Sequence, residues 1–295
     1  MAGRTSVAER VAAAQRASVE SLAAYAGDSS PAVRRAVAAR PDASGDVLRA
    51  LIADRDLATR AAVAGNPGVP EDVLITLLTD RHWRVRLTAA RNPAATPAAR
   101  RAMCAAADPN VRLVLAQQPG LPAEIGAALA RDEFVTVREA LAACTDSPAV
   151  VAALLADPDG RIRGAAGINS LVTVPQLQAL RHDTHRQARL AVVWANHRRA
   201  EVPVDDLLAL ARDRSFDVRY WLANLAGATR EVYEILAHDR DEMVSTTARL
   251  WLLPPDDPRS KAGHRTGYPD PARLGEPTPF VAATPDELMR LLPGT

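Results

Sequence analysis

The sequence predicts an all-α fold, a helical-repeat solenoid of about nine units of roughly 26 residues that each contain two short helices. Three observations lead to this prediction. An aspartate recurs at intervals of 24 to 30 residues, and an arginine follows most of these aspartates by six residues. Between these markers, apolar or small residues recur with the i, i+3, i+4, i+7 spacing of a helix, as at Thr59, Ala62, Val63 and Asn66.

Each repeat also contains start and stop signals for its two helices. In the repeat that opens at Asp54, Asn66-Pro67 predicts the end of the first helix, because Asn tolerates the left-handed conformation and Pro cannot continue a helix. Pro70 predicts the start of the second helix. Helices of two or three turns cannot bury their apolar faces alone, so we expect the pairs to stack on one another.

Composition and charge exclude several classes of protein. The 295 residues include 60 alanines and only 11 aromatic residues, and 35 of the 36 basic residues are arginine. No apolar run approaches the roughly 20 residues that a membrane span needs, and the N-terminus lacks the apolar segment of a secretory signal. Two cysteines, Cys104 and Cys144, cannot form a disulfide framework. We therefore expect a reduced, cytoplasmic setting, and no membrane partner.

The domain limits follow from the repeats. Residues 28–253 are predicted to be the solenoid, and residues 1–27 its N-terminal capping helices. Residues 254–283 are rich in Pro, Gly and charge, which predicts a disordered linker. Residues 284–295 read as a short helix, with Thr284 as N-cap and Leu288, Leu291 and Leu292 on one face. Such a helix either docks on another surface or is a weakly helical terminus.

The recurrent aspartates and arginines, here called the Asp/Arg ladder, have two interpretations. A row of arginines spaced one repeat apart could track phosphates. Alternatively, each arginine joins neighbouring repeats by bidentate hydrogen bonds to the aspartates, which we favour because every arginine has its own aspartate. The ladder pairs in sequence are Asp28/Arg34, Asp54/Arg60, Asp80/Arg86, Asp108/Arg112, Asp132/Arg138, Asp157/Arg163, Asp183/Arg189 and Asp213/Arg219. With an almost neutral net charge of +1, we do not expect a nucleic-acid partner.

Residues 55–80 and 111–132 carry a family resemblance. The string V-R-x-x-V-A-x-N-P-x-x-P-x-x-x-L-x-x-L-x-x-D resembles the leucine-rich repeat variant, and the Asp/Arg spacing is similar to HEAT repeats. The resemblance covers about residues 28–253 and implies a right-handed solenoid. Some members of the family hold an iron–sulfur centre on an N-terminal cysteine cluster. No cysteine precedes Cys104, so we expect no cofactor.

Other chemistry-bearing residues have structural explanations. His182 and His185 flank Asp183 in the manner of metal ligands, but Asp183 belongs to the ladder, and a cation in the last helical turn suits the helix dipole. We therefore predict no metal site. Cys104 and Cys144 lie in alanine-rich helices and are expected to be small buried residues. No P-loop, GxSxG or HExxH motif occurs, so the sequence favours a protein that is not an enzyme.

The outward side of the first helices gives the strongest functional signal. Counting each repeat aspartate as position 0, positions +5, +8, +9 and +12 are predicted to face inward, and +7 and +11 outward. The outward positions become apolar towards the C-terminal half, which predicts a partner-binding surface of Leu113, Ile168, Leu190, Trp194, Tyr220 and Leu250. Trp221, at +8, is expected to be core. A different register would make the whole set core.

The predicted function is a non-enzymatic protein–protein interaction scaffold. Its partner is an unidentified protein, a second copy of the chain, or the chain's own C-terminal helix. The alternative is a HEAT-like DNA-binding protein or a glycosylase for alkylated bases, in which the C-terminal Trp/Tyr cluster would stack on bases. Apolar residues soon after the aspartates are predicted to staple the helix starts, with a ligand-binding edge as the second interpretation: Leu57, Trp83, Phe134 and Phe216.

Overall fold

The structure, a computed structural model, describes residues 5–199 and 202–260, and these residues contain helices and turns but no strand. The chain divides into two compact units, Met1–Gln118 (unit 1) and Pro119–Thr295 (unit 2). Odd-numbered helices are the first helices of the repeats, and even-numbered helices the second. Unit 1 contains α1 Val7–Arg16, a 3₁₀ turn Val19–Ser21, α2 Leu22–Ala26, α3 Pro31–Ala38, α4 Gly45–Leu51, α5 Leu57–Ala64, α6 Glu71–Leu77, α7 Trp83–Ala90, α8 Pro97–Cys104 and α9 Pro109–Ala116.

Unit 2 continues the same alternation of helices. Its helices are α10 Ala123–Leu129, α11 Val135–Cys144, α12 Pro148–Leu155, α13 Gly160–Gly167, α14 Val174–Leu180, α15 Arg186–Arg199, α16 Val204–Leu210, α17 Phe216–Ala223, α18 Arg230–Leu236 and α19 Glu242–Leu252. Within each unit, first helices pack on first helices and second helices on second helices, so the repeats form two layers around a shared apolar core.

The core-facing stripe is turned slightly from the predicted one. Positions +5, +9 and +10 are fully buried in unit 1, as Thr59, Val63 and Ala64 show in α5. Position +8, which the sequence pattern placed inward, holds the half-buried Ala62 in the same helix. Position +10 is alanine throughout unit 1, at Ala38, Ala64, Ala90 and Ala116, and all four are fully buried, since a close-packed interior leaves room there only for a small side chain.

The Asp/Arg ladder joins each repeat to the next one. Arg60 donates from Nε and Nη2 to the two carboxylate oxygens of Asp80, at 2.8 and 3.1 Å, and from Nη1 to the backbone oxygen of Asp54 at 2.8 Å. The aspartate in turn accepts a backbone N–H two residues later, at His82. The same pairing occurs at Arg34–Asp54, Arg86–Asp108, Arg138–Asp157, Arg163–Asp183, Arg189–Asp213 and Arg219–Asp239.

Asp108 is out of register with the other ladder aspartates. The Nη1 of Arg112 donates to the backbone oxygen of Ala106, six residues earlier, which is the contact that every other ladder arginine makes with position 0. Position 0 of this repeat is therefore Ala106, and Asp108 is the N-cap of α9. From there its carboxylate still reaches Nε of Arg86 at 2.7 Å. The apparent spacings of 28 and 24 residues thus resolve into two regular intervals of 26.

The ladder also begins earlier than the sequence pattern indicated. Arg10, in the segment predicted to be a cap, donates from Nε and Nη2 to the carboxylate of Asp28, at 2.8 and 3.2 Å. Its Nη1 donates to the backbone oxygen of Thr5. Helices α1 and α2 therefore form a repeat that pairs like the others.

A second set of side chains joins the first helices near their C-terminal ends. Nδ2 of Asn92 donates to the backbone oxygens of Ala64 and Asn66, at 2.6 and 2.9 Å, and its Oδ1 accepts the N–H of Ala94. Asn66 makes the equivalent bonds to the preceding repeat. Among the described residues only Gly120 and Gly227 have a positive φ. The asparagines thus act through their amides and not through a left-handed backbone, which corrects the sequence interpretation.

Two helices of unit 2 approach each other unusually closely. A Cβ on Gly160 would lie 2.1 Å from Cβ of His185, and a Cβ on Gly164 would lie 2.7 Å from the backbone oxygen of Gln187. Only glycine lets α13 and α15 pack at this distance. The following repeat is the longest, with a first helix of 14 residues.

The repeat that contains α19 lacks both the ladder arginine and the asparagine amide found in other repeats. Ser245 stands where the other repeats have the ladder arginine, and Nε1 of Trp251 donates to the backbone oxygen of Ala223 at 3.0 Å, in place of an asparagine amide. The first residues of the predicted linker, 254–260, form turns, in which Ser260 is buried and its hydroxyl donates to the backbone oxygen of Leu253. The rest of the predicted linker and the predicted helix at 284–295 lie outside the described residues.

We predict that Arg60→Ala lowers the free energy of unfolding by about 3–5 kcal/mol, because it leaves the buried Asp80 carboxylate without its counter-charge. The two side chains are only 5% and 7% exposed. The matched control is Arg49→Ala, which breaks the exposed 2.8 Å pair with Asp72 and should cost at most about 1 kcal/mol. Urea denaturation followed by circular dichroism measures both, and equal losses would contradict the structural role of the ladder.

We predict that Asn92→Asp lowers the free energy of unfolding by roughly 2 kcal/mol or more, because it replaces a buried N–H donor by a carboxylate oxygen that faces two carbonyl oxygens, without changing the shape of the side chain. Asn92 is 4% exposed. The control is Gln15→Glu, which makes the same amide-to-carboxylate change on an exposed side chain of unit 1. If both variants unfold at the same urea concentration, the asparagine amides do not hold the repeats together.

We predict that stability is constant near neutral pH and falls below about pH 4, the ordinary range of an aspartate in an unfolded chain. The hydrogen bond from Arg34 holds the pKa of Asp54 below its usual value. At Asp80, burial raises the pKa, but the bonds from Arg60 and His82 outweigh it and the net shift is downward. A lowered folded pKa adds stability above the unfolded pKa, and this is lost as pH falls through the folded pKa. Melting temperatures measured from pH 7 to 2 check this, and a flat profile would be the opposing result.

Candidate interaction surface

The structure places the predicted partner-binding residues beneath or at the edge of the surface. Leu190 is 5% exposed and belongs to the core of unit 2, so it is wrong as a surface residue. Ile168, Trp194 and Tyr220 are half-buried and pack against that core. The remaining two are half-buried as well, Leu250 in unit 2 and Leu113 in unit 1.

The error has a physical cause. Positions +7 and +11 lie beside the next repeat in the array, which covers several of the apolar side chains there partly or fully. A Cβ on Gly164, at +7, would meet the backbone of Gln187, and a Cβ on Gly65, at +11, would lie 3.4 Å from Cγ2 of Thr88. Helical periodicity predicts which residues share a face, but not which neighbour covers that face.

Four aromatic side chains in α15 and α17 form the most distinctive surface of unit 2, which we call the aromatic patch: Trp194, Phe216, Tyr220 and Trp221. The rings of Phe216 and Tyr220 stack one helical turn apart, with centroids at 5.5 Å and an interplanar angle of 22°. Trp221 meets both Tyr220 and Trp194 edge to face, each at 6.1 Å. These contacts fix the ring positions, since aromatic pairs favour such offset and edge geometries.

The patch has a buried base and an open edge. Trp194, Tyr220 and Trp221 pack on the core, whereas Phe216 is 37% exposed. An ion pair lies beside it, in which Nη1 of Arg186 and Oδ2 of Asp217 are 2.8 Å apart and both side chains are exposed or half-exposed. Anchored aromatic rings with a charged rim are typical of protein-binding surfaces.

The sequence pattern missed two members of the patch. Phe216 was expected to precede a helix as a staple, but it is the first residue of α17, as Leu57 and Trp83 are in their own helices. Trp221 was expected to be core, but it is half-buried. The available signal was the i, i+4 spacing of Phe216 and Tyr220, which places both rings on one side of the helix.

The aspartate that lies between His182 and His185 in sequence belongs to the ladder. Asp183 accepts two hydrogen bonds from Arg163, at 2.6 and 2.7 Å, so its carboxylate is committed to the ladder. Within residues 5–199 and 202–260, no group of three or more His, Cys, Asp or Glu side chains could hold a metal ion. Cys104 and Cys144 are half-buried, and burial raises the pKa of the Cys144 thiol, which disfavours the reactive thiolate.

Two comparisons show what the chain is similar to. Residues 31–56 match the model of the leucine-rich repeat variant family, and this match spans one 26-residue repeat from the start of α3 to the N-cap of α5. A solved structure described as a leucine-rich repeat variant with a novel repetitive protein structural motif is 26% identical in sequence. The match covers 70% of this chain and 80% of that one, with a TM-score of 0.51.

The resemblance to the leucine-rich repeat variant is confirmed. The predicted fold class, an all-α helical-repeat solenoid, is confirmed with it. No curated protein matches the chain. In the part of the chain that the structure describes, no helix is long and apolar enough to span a membrane. The leucine-rich repeat variant fold by itself does not specify a function, so the function has to be argued from the surface.

Proposed function

We propose that the chain is a non-enzymatic protein–protein interaction scaffold that binds its partner through the aromatic patch of unit 2. The observation that supports this most is the Phe216–Tyr220 stack, which exposes part of two large rings while their neighbours anchor them in the core. Tyrosine, tryptophan and arginine are the residue types that most often dominate binding energy. The repeats would act as a rigid support, since the ladder leaves few side chains free to rearrange.

The proposal includes three expectations that rest on the sequence. The partner is a protein, which includes a second copy of the chain, the setting is cytoplasmic, and no cofactor takes part. The patch differs from the predicted surface in its centre, which moves from Leu190 and Trp194 towards Phe216 and Tyr220 on α17.

No observation at the patch favours the glycosylase alternative. Such an enzyme needs an electropositive surface around the stacking rings. Asp217, which follows Phe216, pairs with Arg186 at 2.8 Å, so these two charges neutralise each other.

We predict that Phe216→Ala with Tyr220→Ala weakens capture of the partner at least about tenfold while leaving helical content unchanged, since truncating aromatic anchors commonly costs more than 1 kcal/mol of binding. The measurement is affinity capture from the native host, quantified against the unaltered chain, with circular dichroism to check folding. Sedimentation of the purified chain at increasing concentration reports self-association through the same two rings.

The matched control is Phe134→Ala. Phe134 is 41% exposed in the same unit, at the N-cap of α11, and lies outside the patch. Capture should survive this change. If the double variant captures the same proteins in the same amounts, or if Phe134→Ala loses them equally, the aromatic patch is not the binding surface.

A further inference from the structure

Unit 1 is basic, although the chain as a whole is almost neutral. Up to Gln118 the sequence has 16 arginines against 11 aspartates and glutamates, whereas the whole chain has a net charge of +1. This excess is not spread evenly, because the structure separates arginines that are paired from arginines that are not.

Most carboxylates of unit 1 are already occupied. The ladder arginines bind Asp28, Asp54, Asp80 and Asp108. On the second-helix side, Arg40 pairs with Asp42, and Arg49 pairs with both Asp46 and Asp72. Asp56 accepts the N–H and the hydroxyl of Thr59 as the N-cap of α5. Because both of these donors are neutral, Asp56 keeps its negative charge, which offsets one of the exposed arginines around it.

Four exposed arginines lie on α3 and at the starts of α5 and α7, and we call them the basic face: Arg35, Arg55, Arg81 and Arg84. Within the described residues, none of the four forms an ion pair with a carboxylate. They contrast with Arg34, Arg60 and Arg86, which lie beside them in sequence but point into the ladder. The arginines of the basic face thus have no paired carboxylate, whereas the ladder arginines next to them in sequence are neutralised by theirs.

The ladder holds these four arginines together. One guanidinium, that of Arg60, contacts the backbone oxygen of Asp54 and the carboxylate of Asp80. Arg55 and Arg81 directly follow these two aspartates, so they are fixed on neighbouring repeats at equivalent positions. Arg84 is the second residue of α7, three residues after Arg81. Arg35 is close enough to Asp56, the residue after Arg55, for its charge to lower the pKa of that carboxyl.

A planar side chain lies within the basic face. The guanidinium carbon of Arg84 lies 5.3 Å from the centroid of the Trp83 ring. The His82 ring stacks on the same Trp83 ring, with the centroids 5.9 Å apart and an interplanar angle of 24°. Arginine forks and flat aromatic surfaces together are the usual recognition elements for a nucleic-acid strand.

We propose that the basic face of unit 1 binds the phosphate backbone of single-stranded nucleic acid. A polynucleotide carries a charge at every link, which suits cations repeated from one repeat to the next, and the guanidinium fork matches phosphate oxygens. The net charge of the chain pointed away from such a partner. The net charge does not reveal the basic face, because it sums over the whole chain and does not distinguish arginines paired in the ladder from arginines without a carboxylate partner.

The test is fluorescence anisotropy of a labelled, mixed-sequence single-stranded DNA with the full chain at increasing salt. We expect binding that weakens with salt. Arg55→Ala with Arg81→Ala should reduce the slope of log Kd against log salt by about 1.4, at about 0.7 for each lost phosphate contact. The control, Arg16→Ala with Arg101→Ala, removes the same charge from exposed arginines of unit 1 outside the basic face and should leave the slope within error of the unaltered chain.

Three outcomes would overturn the proposal. The first is no binding by the unaltered chain at low salt. The second is an equal loss in the control variant, which would mean general charge attraction. The third is displacement by polyglutamate of equal charge as readily as by unlabelled DNA, which would assign the basic face to an acidic protein segment. The variants of Phe216 and Tyr220 leave the basic face intact, so the two proposals fail independently.

Discussion

The rest of this structure depends on one contact, in which a single arginine guanidinium hydrogen-bonds to two neighbouring repeats. A ladder arginine donates to the carboxylate of the next repeat and, through its third nitrogen, to a backbone oxygen of its own repeat. Each such group satisfies polar atoms that stacking would otherwise bury without partners. Lysine could not do this, because it lacks the planar fork. The ladder thereby fixes the register of the helices, and alanine can fill the space between them.

The sequence was sufficient to predict the helical repeats, their length and the residue types of the ladder, because all three follow from local spacing. It did not predict that the side chain of each arginine pairs with the aspartate of the next repeat and not with that of its own. It was insufficient where two residues could fill the same role. Asp108 reaches Arg86 from the N-cap position, and only the contact of Arg112 with Ala106 reveals the true register. Arg10 was missed because no aspartate precedes it at the usual distance, although Asp28 follows it.

The surface was harder to predict than the fold. Counting along the helices assigned Leu190, Trp194 and Tyr220 to the outward side, but Leu190 is buried and the other two are half-buried against the core. The same difficulty applies to charge. Arg34 and Arg35 are adjacent and chemically identical, yet one is bound within the ladder and the other is exposed. Only the three-dimensional arrangement separates residues that hold the array together from residues that are available to a partner.

Ser245 stands in place of the ladder arginine in the repeat that contains α19. In the pairs that the structure shows, each ladder arginine donates to the aspartate of the next repeat, so the array has a direction. Ser245 has no guanidinium with which to bridge two repeats. A repeat added after α19 would therefore bury its aspartate without the partner that the other ladder aspartates have.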